Sequence, residues 1–187
     1  MKTTYEITLG GVKRDLPLCR LNDNLQIAAF VVLGDYELTC ACAKLLAEKA
    51  PPHDIILTAE CKGIPLVHEM AKVLNEKKHI IARKNAKLYM KNIFRATVKS
   101  ITTKGEQILY LDGTDAELIK GKRVLIVDDV VSTGESLRAL EDLVKLADGE
   151  IAGKMTILAE GDAQGRDDII YLAPLPLFDN EGEPLAE

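Results

Sequence analysis

Residues 124–137 read VLIVDDVVSTGESL. Four consecutive apolar residues predict a strand buried on both faces, because a strand with one wet face would alternate. The run stops at Asp128 and Asp129, and the chain then enters a small polar cluster: Ser132, Thr133, Gly134, Glu135 and Ser136. The following ESLRALEDLVKLA carries apolar residues at helical spacing. The stretch is therefore a strand, a loop and the start of an amphipathic helix. That is a building unit of an α/β fold, in which ligands bind beyond the carboxyl ends of the strands.

The loop has the makings of an anion seat. The first N–H groups of a helix lack intrahelical partners, and the helix dipole favours negative charge there. Gly134 lets the backbone approach a ligand, and Ser132, Thr133 and Ser136 add hydroxyl donors. A plain N-cap, with Ser or Thr starting the helix, explains the same residues. The two aspartates weigh on this choice. Carboxylates repel phosphate but grip hydroxyls, such as a ribose diol on the same ligand. They also suit a metal, although adjacent strand residues point to opposite faces, so at most one would coordinate. A sugar phosphate with free hydroxyls satisfies both halves of the motif. No GxxxxGK[ST] loop and no GxGxxG fingerprint is present. A receiver domain, which also opens on such a strand, needs more chain than follows Asp129.

The rest of the chain extends the α/β reading. Thr4 to Leu9 alternates as a strand, and LQIAAFVVL is a strand or another buried segment. Gly34-Asp35 caps a helix running to Ala50 and stopped by Pro51-Pro52, DIILTAE is a buried strand, and Gly63 starts a second helix. HIIAR, MTILAE and IIYL are further strands, and residues 94–112 alternate around Lys104-Gly105 as a β-hairpin. With 187 residues, 47% apolar and 28% charged, one domain spanning 1–187 is expected. A net charge of −5 disfavours a general nucleic-acid binder, yet Lys77 to Lys104 contains no acidic residue, which suits a solvated face or the seat of a polyanion. Cys19, Cys40, Cys42 and Cys61 lack zinc-site spacing, and no secretory or membrane-spanning segment is evident. Free thiols in the cytoplasm are expected. His68 reads as a structural histidine.

VLIVDDVVSTGESL resembles the phosphoribosyl-pyrophosphate (PRPP) signature of the type I phosphoribosyltransferases. The wider chain is similar to the adenine branch and its relatives, the xanthine enzymes and the purine repressor. LTAECKGIPL resembles the pyrophosphate loop, usually E-A-R-G in adenine enzymes; ARKNAKL resembles their R-K-P-G-K segment; TTKGEQ resembles the mobile catalytic loop. The resemblance implies a mainly parallel central sheet flanked by helices, with a flexible β-hairpin over the site (residues 89–118) and an N-terminal base-side segment (1–34). It implies that Asp128 and Asp129 hold the ribose hydroxyls and that Ser132, Thr133, Gly134, Glu135 and Ser136 bind the 5′-phosphate. Lys62 and Gly63 would meet the pyrophosphate, with Arg83, Lys84 and Lys87 adding positive charge. Glu106 would exchange a proton with the base, and magnesium would be held mainly through PRPP. Lys62 replaces the usual arginine, and Glu135 stands where glycine is common.

The expected activity is a purine phosphoribosyltransferase, with PRPP and a purine base as substrates and a homodimer as the expected assembly. Adenine is the expected base, because MTILAE ends at Glu160 and Gly161 follows, where 6-oxopurine enzymes commonly carry a lysine. Arg20, Asn22 and Asn24 are the candidates for base contact on the N-terminal side. The alternative is a non-catalytic PRPP sensor binding RNA or another partner. A winged-helix domain of the repressor kind is not expected, since the fold begins almost at once.

Overall fold

A computed structural model describes residues 2–98 and 107–185. An antiparallel meander opens the chain: β1 (Thr4–Leu9), β2 (Val12–Asn22) and β3 (Leu25–Ala28). β2 is a strand that sequence reasoning missed, and Pro17 inside it is the reason. Proline lacks an N–H and argues against a central strand. Here the strand changes partner at that point: residues 12–17 pair with β1, and pairing with β3 starts at Leu18. The Pro17 carbonyl still accepts from Ala29 N at 2.8 Å.

Next come α1 (Tyr36–Lys49), β4 (Ile55–Ala59), α2 (Gly63–Val73) and β5 (Ile80–Ala82). As expected, Asp35 caps α1, accepting from Leu38 N at 3.1 Å. The hairpin β6 (Phe94–Val98) and β7 (Gln107–Leu111) follows, antiparallel in register from Phe94↔Leu111 to Val98↔Gln107. The segment 89–118 also holds most of a short helix not foreseen from the sequence, α3 (Gly113–Ile119). β8 (Arg123–Val131), α4 (Glu135–Leu146), β9 (Glu150–Glu160), a 3₁₀ turn (Gly161–Gly165) and β10 (Ile170–Leu175) complete the order.

The central sheet is β10-β9-β8-β4-β5, and every neighbouring pair is parallel. Its central strands are buried on both faces, as the apolar run 124–127 requires. Val124 and Ile126 pack with Leu137, Leu140 and Leu143 of α4 and with the hairpin residues Val98 and Leu109. Leu125 and Val127 face the other way, toward Leu38 and Leu46 of α1 and Leu66 and Met70 of α2. The N-terminal meander joins this second layer through Ile7, Leu9 and Leu16. Because all five strands run the same way, the segments leaving β4, β5, β8 and β9 emerge at one edge. Among the described residues no helix is long and apolar enough to cross a membrane, and all four cysteines are free thiols.

Candidate active site

The start of α4 bears on the two readings of the 132–136 loop. Its N-cap is Gly134, in the left-handed conformation at φ 77° and ψ 7°, and no side chain caps the helix. Ser132 and Thr133 are exposed and precede the cap. The first-turn N–H groups therefore lack the side-chain acceptor that a plain N-cap supplies. They open onto a cavity of about 180 Å³ lined by Asp128, Val130, Val131, residues 132–137 and Val98 of the hairpin. Glu135 is half-buried on this rim.

The acidic pair forms another wall. Asp128 continues the Val124/Ile126 face of β8 and Asp129 the opposite face. Asp129 is 3% exposed, and its Oδ2 lies 2.7 Å from the Lys62 ammonium. This contact is an ion pair without hydrogen-bond alignment, since Oδ2 accepts no directed hydrogen bond. Asp128 Oδ1 accepts from Asp129 N at 2.9 Å. Burial, and then the neighbouring Asp129 charge, push the Asp128 carboxyl up to about 7; the Lys62 ammonium opposes the shift. A carboxylate so placed is costly to ionise, which is a mark of function rather than of stability.

The loop after β4 comes within reach of this pair. Lys62 is the N-cap of α2 and uses no side chain as a cap, so a second helix N-terminus opens beside the first. A Cβ on Gly63 would stand 2.1 Å from Thr58 Oγ1 and 3.5 Å from Asp128 Oδ1, so glycine is what lets this turn lie against β4 and β8. The loop after β5 is tied to the same place. Glu60 Oε2 accepts from Arg83 Nε at 3.2 Å and from Lys84 N at 3.0 Å. The Lys84 N–H, then burial in opposition, then the charges of Arg83 and Lys87 act on Glu60, and the net effect lowers its pKa. Among the described residues, Lys84 and Lys87 form no ion pair.

Two residues not singled out as site residues from the sequence lie beside the start of α4, outside the lining of its cavity. Glu160 ends β9; burial raises its carboxyl, while the Ser132 hydroxyl, which donates to it, and the Lys62 charge hold it down. Arg166 follows the 3₁₀ turn and brings Nη1 to 2.5 Å from where a Gly134 Cβ would be. Arg20, Asn22 and Asn24 stand apart. They occupy the β2–β3 tip, where Arg20 Nε donates to Asn22 O at 3.1 Å and Asn22 Oδ1 accepts from Asn24 N at 2.9 Å. Their hydrogen bonds stay within that tip. Glu106 lies outside the described residues.

The chain is similar to known proteins in sequence and in fold. The family model for a phosphoribosyl transferase domain matches residues 38–175. A hypoxanthine/guanine phosphoribosyltransferase of Methanotorris igneus is 35% identical over 111 residues, which is 59% of this chain and 56% of that protein. The chain thus aligns with little more than half the length of this relative. Among solved structures, adenine phosphoribosyltransferase from Thermoanaerobacter pseudethanolicus superposes with a TM-score of 0.69 at 20% identity, covering 85% of this chain and 95% of that one. The Trypanosoma brucei adenine enzyme, solved with AMP, pyrophosphate and ribose-5-phosphate, gives 0.65 at 18% identity, covering 99% and 82%. With the family match spanning most of the sequence and the expected parallel central sheet flanked by helices, the chain belongs to the type I phosphoribosyltransferase family.

Proposed function

We propose that this chain transfers the phosphoribosyl group of PRPP to a purine base and releases pyrophosphate. The observation that carries the reading is the uncapped start of α4 at a left-handed glycine, with an acidic pair, Asp128 half-buried and Asp129 buried, on the adjoining wall. The first turn of α4 takes the 5′-phosphate, Asp128 and Asp129 accept from the ribose hydroxyls, and Lys62 with the start of α2 takes the pyrophosphate. Arg83, Lys84 and Lys87 add positive charge on that side. The C1–oxygen bond breaks, its electron pair leaves with pyrophosphate, and a base nitrogen bonds to C1 and loses its proton. Glu106 is the proposed acceptor of that proton. The hairpin, which reaches the cavity through Val98, excludes water from the activated sugar. Among the described residues no cluster of three or more His, Cys, Asp or Glu would hold a metal alone. Two carboxylates beside the ligand's own oxygens fit magnesium carried mainly by PRPP. When bound, magnesium supplies charge neutralisation at the pyrophosphate.

Lys62 bears on this scheme directly. Without ligand its ammonium sits on Asp129; pyrophosphate competes for it. Lys62→Met is expected to raise the KM for PRPP about tenfold, the scale of one lost charge-assisted contact. Initial-rate kinetics check this, and an unchanged KM would remove Lys62 from the site.

For the base, adenine is the proposal. Glu160 and Gly161 place a carboxylate, and no ammonium, at the end of β9, which suits an exocyclic amine rather than a 6-oxo group. The Methanotorris relative's name favours a second reading, hypoxanthine or guanine. Competition among adenine, hypoxanthine, guanine and xanthine at equal concentration separates them: adenine should be consumed fastest, and faster loss of a 6-oxopurine would overturn adenine while sparing the transferase. A protein that binds PRPP and turns over none of the four is instead a sensor. A homodimer is also proposed, supported by the exposed apolar residues Leu88, Tyr89 and Ile93 following the Lys84–Lys87 loop.

A further inference from the structure

Arg166 comes from the segment between the 3₁₀ turn and β10, outside every motif of the resemblance. It is held with unusual firmness for a surface arginine. Nε donates to Asp168 Oδ1 at 2.9 Å and Nη2 to Asp168 Oδ2 at 2.8 Å, a bidentate fork. Asp168 also pairs with the largely buried Lys154, whose ammonium donates to Glu141 on α4 at 3.0 Å. The chain of charges runs from the body of α4, across β9, back to the helix's own N-terminus. Its last member is Nη1. That nitrogen makes no hydrogen bond among the described residues, and it stands 2.5 Å from the position of a Gly134 Cβ. The side chain is 32% exposed, so its charge is only partly screened. An arginine whose Nε and Nη2 are held on Asp168, and whose Nη1 stands beside the glycine that opens an anion-binding turn, is placed for the anion. Asp168 fixes the aim, and Gly134 leaves the space.

We propose that Arg166 forms a cationic wall of the 5′-phosphate seat, with Nη1 beside Gly134 as its donor and Asp168 as the residue that positions it. The inference rests on the transferase reading for the identity of the ligand. It adds to the seat a charge from a segment that has no part in the PRPP signature. Phosphate on a sugar is the chemistry recognised; pyrophosphate, held at the Lys62 side, is not.

That difference supplies the test. Titration calorimetry with ribose 5-phosphate, PRPP and inorganic pyrophosphate is run on the wild-type protein, Arg166→Gln, Arg166→Lys and Asp168→Asn. Arg166→Gln is expected to weaken ribose 5-phosphate and PRPP about tenfold and to leave pyrophosphate within about twofold, the loss of one charge-assisted hydrogen bond. The gap should narrow as salt rises, Arg166→Lys should recover part of the loss, and Asp168→Asn should reproduce it more weakly. Equal weakening of all three ligands, or a loss that Arg166→Lys does not ease, would show a structural role and overturn the proposal. Unchanged ribose 5-phosphate affinity in a folded Arg166→Gln protein would do the same. A wild-type protein that binds PRPP and never turns over a base defeats the transferase reading alone. One that binds neither PRPP nor ribose 5-phosphate defeats both.

Discussion

Asp128→Asn combined with Asp129→Asn is expected to lower kcat/KM about a hundredfold or more while the fold persists. Two carboxylates that accept from ribose hydroxyls each supply a charge-assisted hydrogen bond, worth roughly 1.5–3 kcal/mol, and the variant loses both. Stability should move the other way. Asp128 is pushed from 3.8 to about 7 by burial and by the Asp129 charge. A raised pKa means that the folded state binds the proton more tightly than the unfolded chain. The stabilisation is complete below about pH 4 and is lost as pH rises through about 7. Asp54 and Asp168 have the opposite sign: hydrogen bonds from Arg123 and from Arg166 hold them down, so their contribution is lost as pH falls. The single variant Asp128→Asn isolates the first effect, since Asn keeps an oxygen for the Asp129 N–H. Its melting temperature relative to wild type, without ligand, is expected to climb from pH 5 to pH 8. Near-normal turnover in the folded double variant, or a difference in melting temperature that does not change with pH, would contradict this account.

Such opposition between activity and stability is what the opening stretch announces. VLIVDD is legible because a short apolar run bounded by a polar turn suits a strand covered on both sides, and two carboxylates following it call for a ligand. Helices α1 and α2 were legible from caps and breakers: Asp35 before α1, Pro51-Pro52 after it, Gly63 opening α2. β2 was not, because Pro17 hides a change of pairing partner that only the tertiary arrangement reveals. Glu160 and Arg166 were not legible as site residues for a related reason. Each lies at the end of an ordinary segment, and its role depends on where β9 and the following turn place it relative to β8. For Glu160 one signal existed: it is the polar residue that ends a buried parallel strand, as Asp128 nearly is. Arg166 offered none, because its aim is set by Asp168 and Lys154. Whether Ser132 or Thr133 caps α4 also needed coordinates, since in the sequence both suit an N-cap, and the structure puts the cap at Gly134 instead.

Gly134→Val is the sharpest probe of the proposed phosphate seat, and PRPP binding is expected to disappear from calorimetry, a loss beyond about a hundredfold. Three effects coincide. At φ 77° a β-branched residue is strained, by about 1–3 kcal/mol. Its Cβ would meet Arg166 Nη1 at 2.5 Å, so the guanidinium must swing away and loosen its fork on Asp168. Its methyl groups would also occupy space beside the first-turn N–H groups that a phosphate needs. Strain alone should lower the melting temperature by roughly 2–4 °C per kcal/mol, leaving a folded protein whose ligand loss can be read. Gly134→Ala carries the same Cβ contact without the branch. Its PRPP affinity should fall between that of wild type and Gly134→Val if the seat is progressively filled. Pyrophosphate, bound at Lys62 and the start of α2, should remain within a fewfold of wild type in both variants. If Gly134→Val folds and binds PRPP as wild type does, the 5′-phosphate sits elsewhere, and the start of α4 is no more than a helix that begins without a cap.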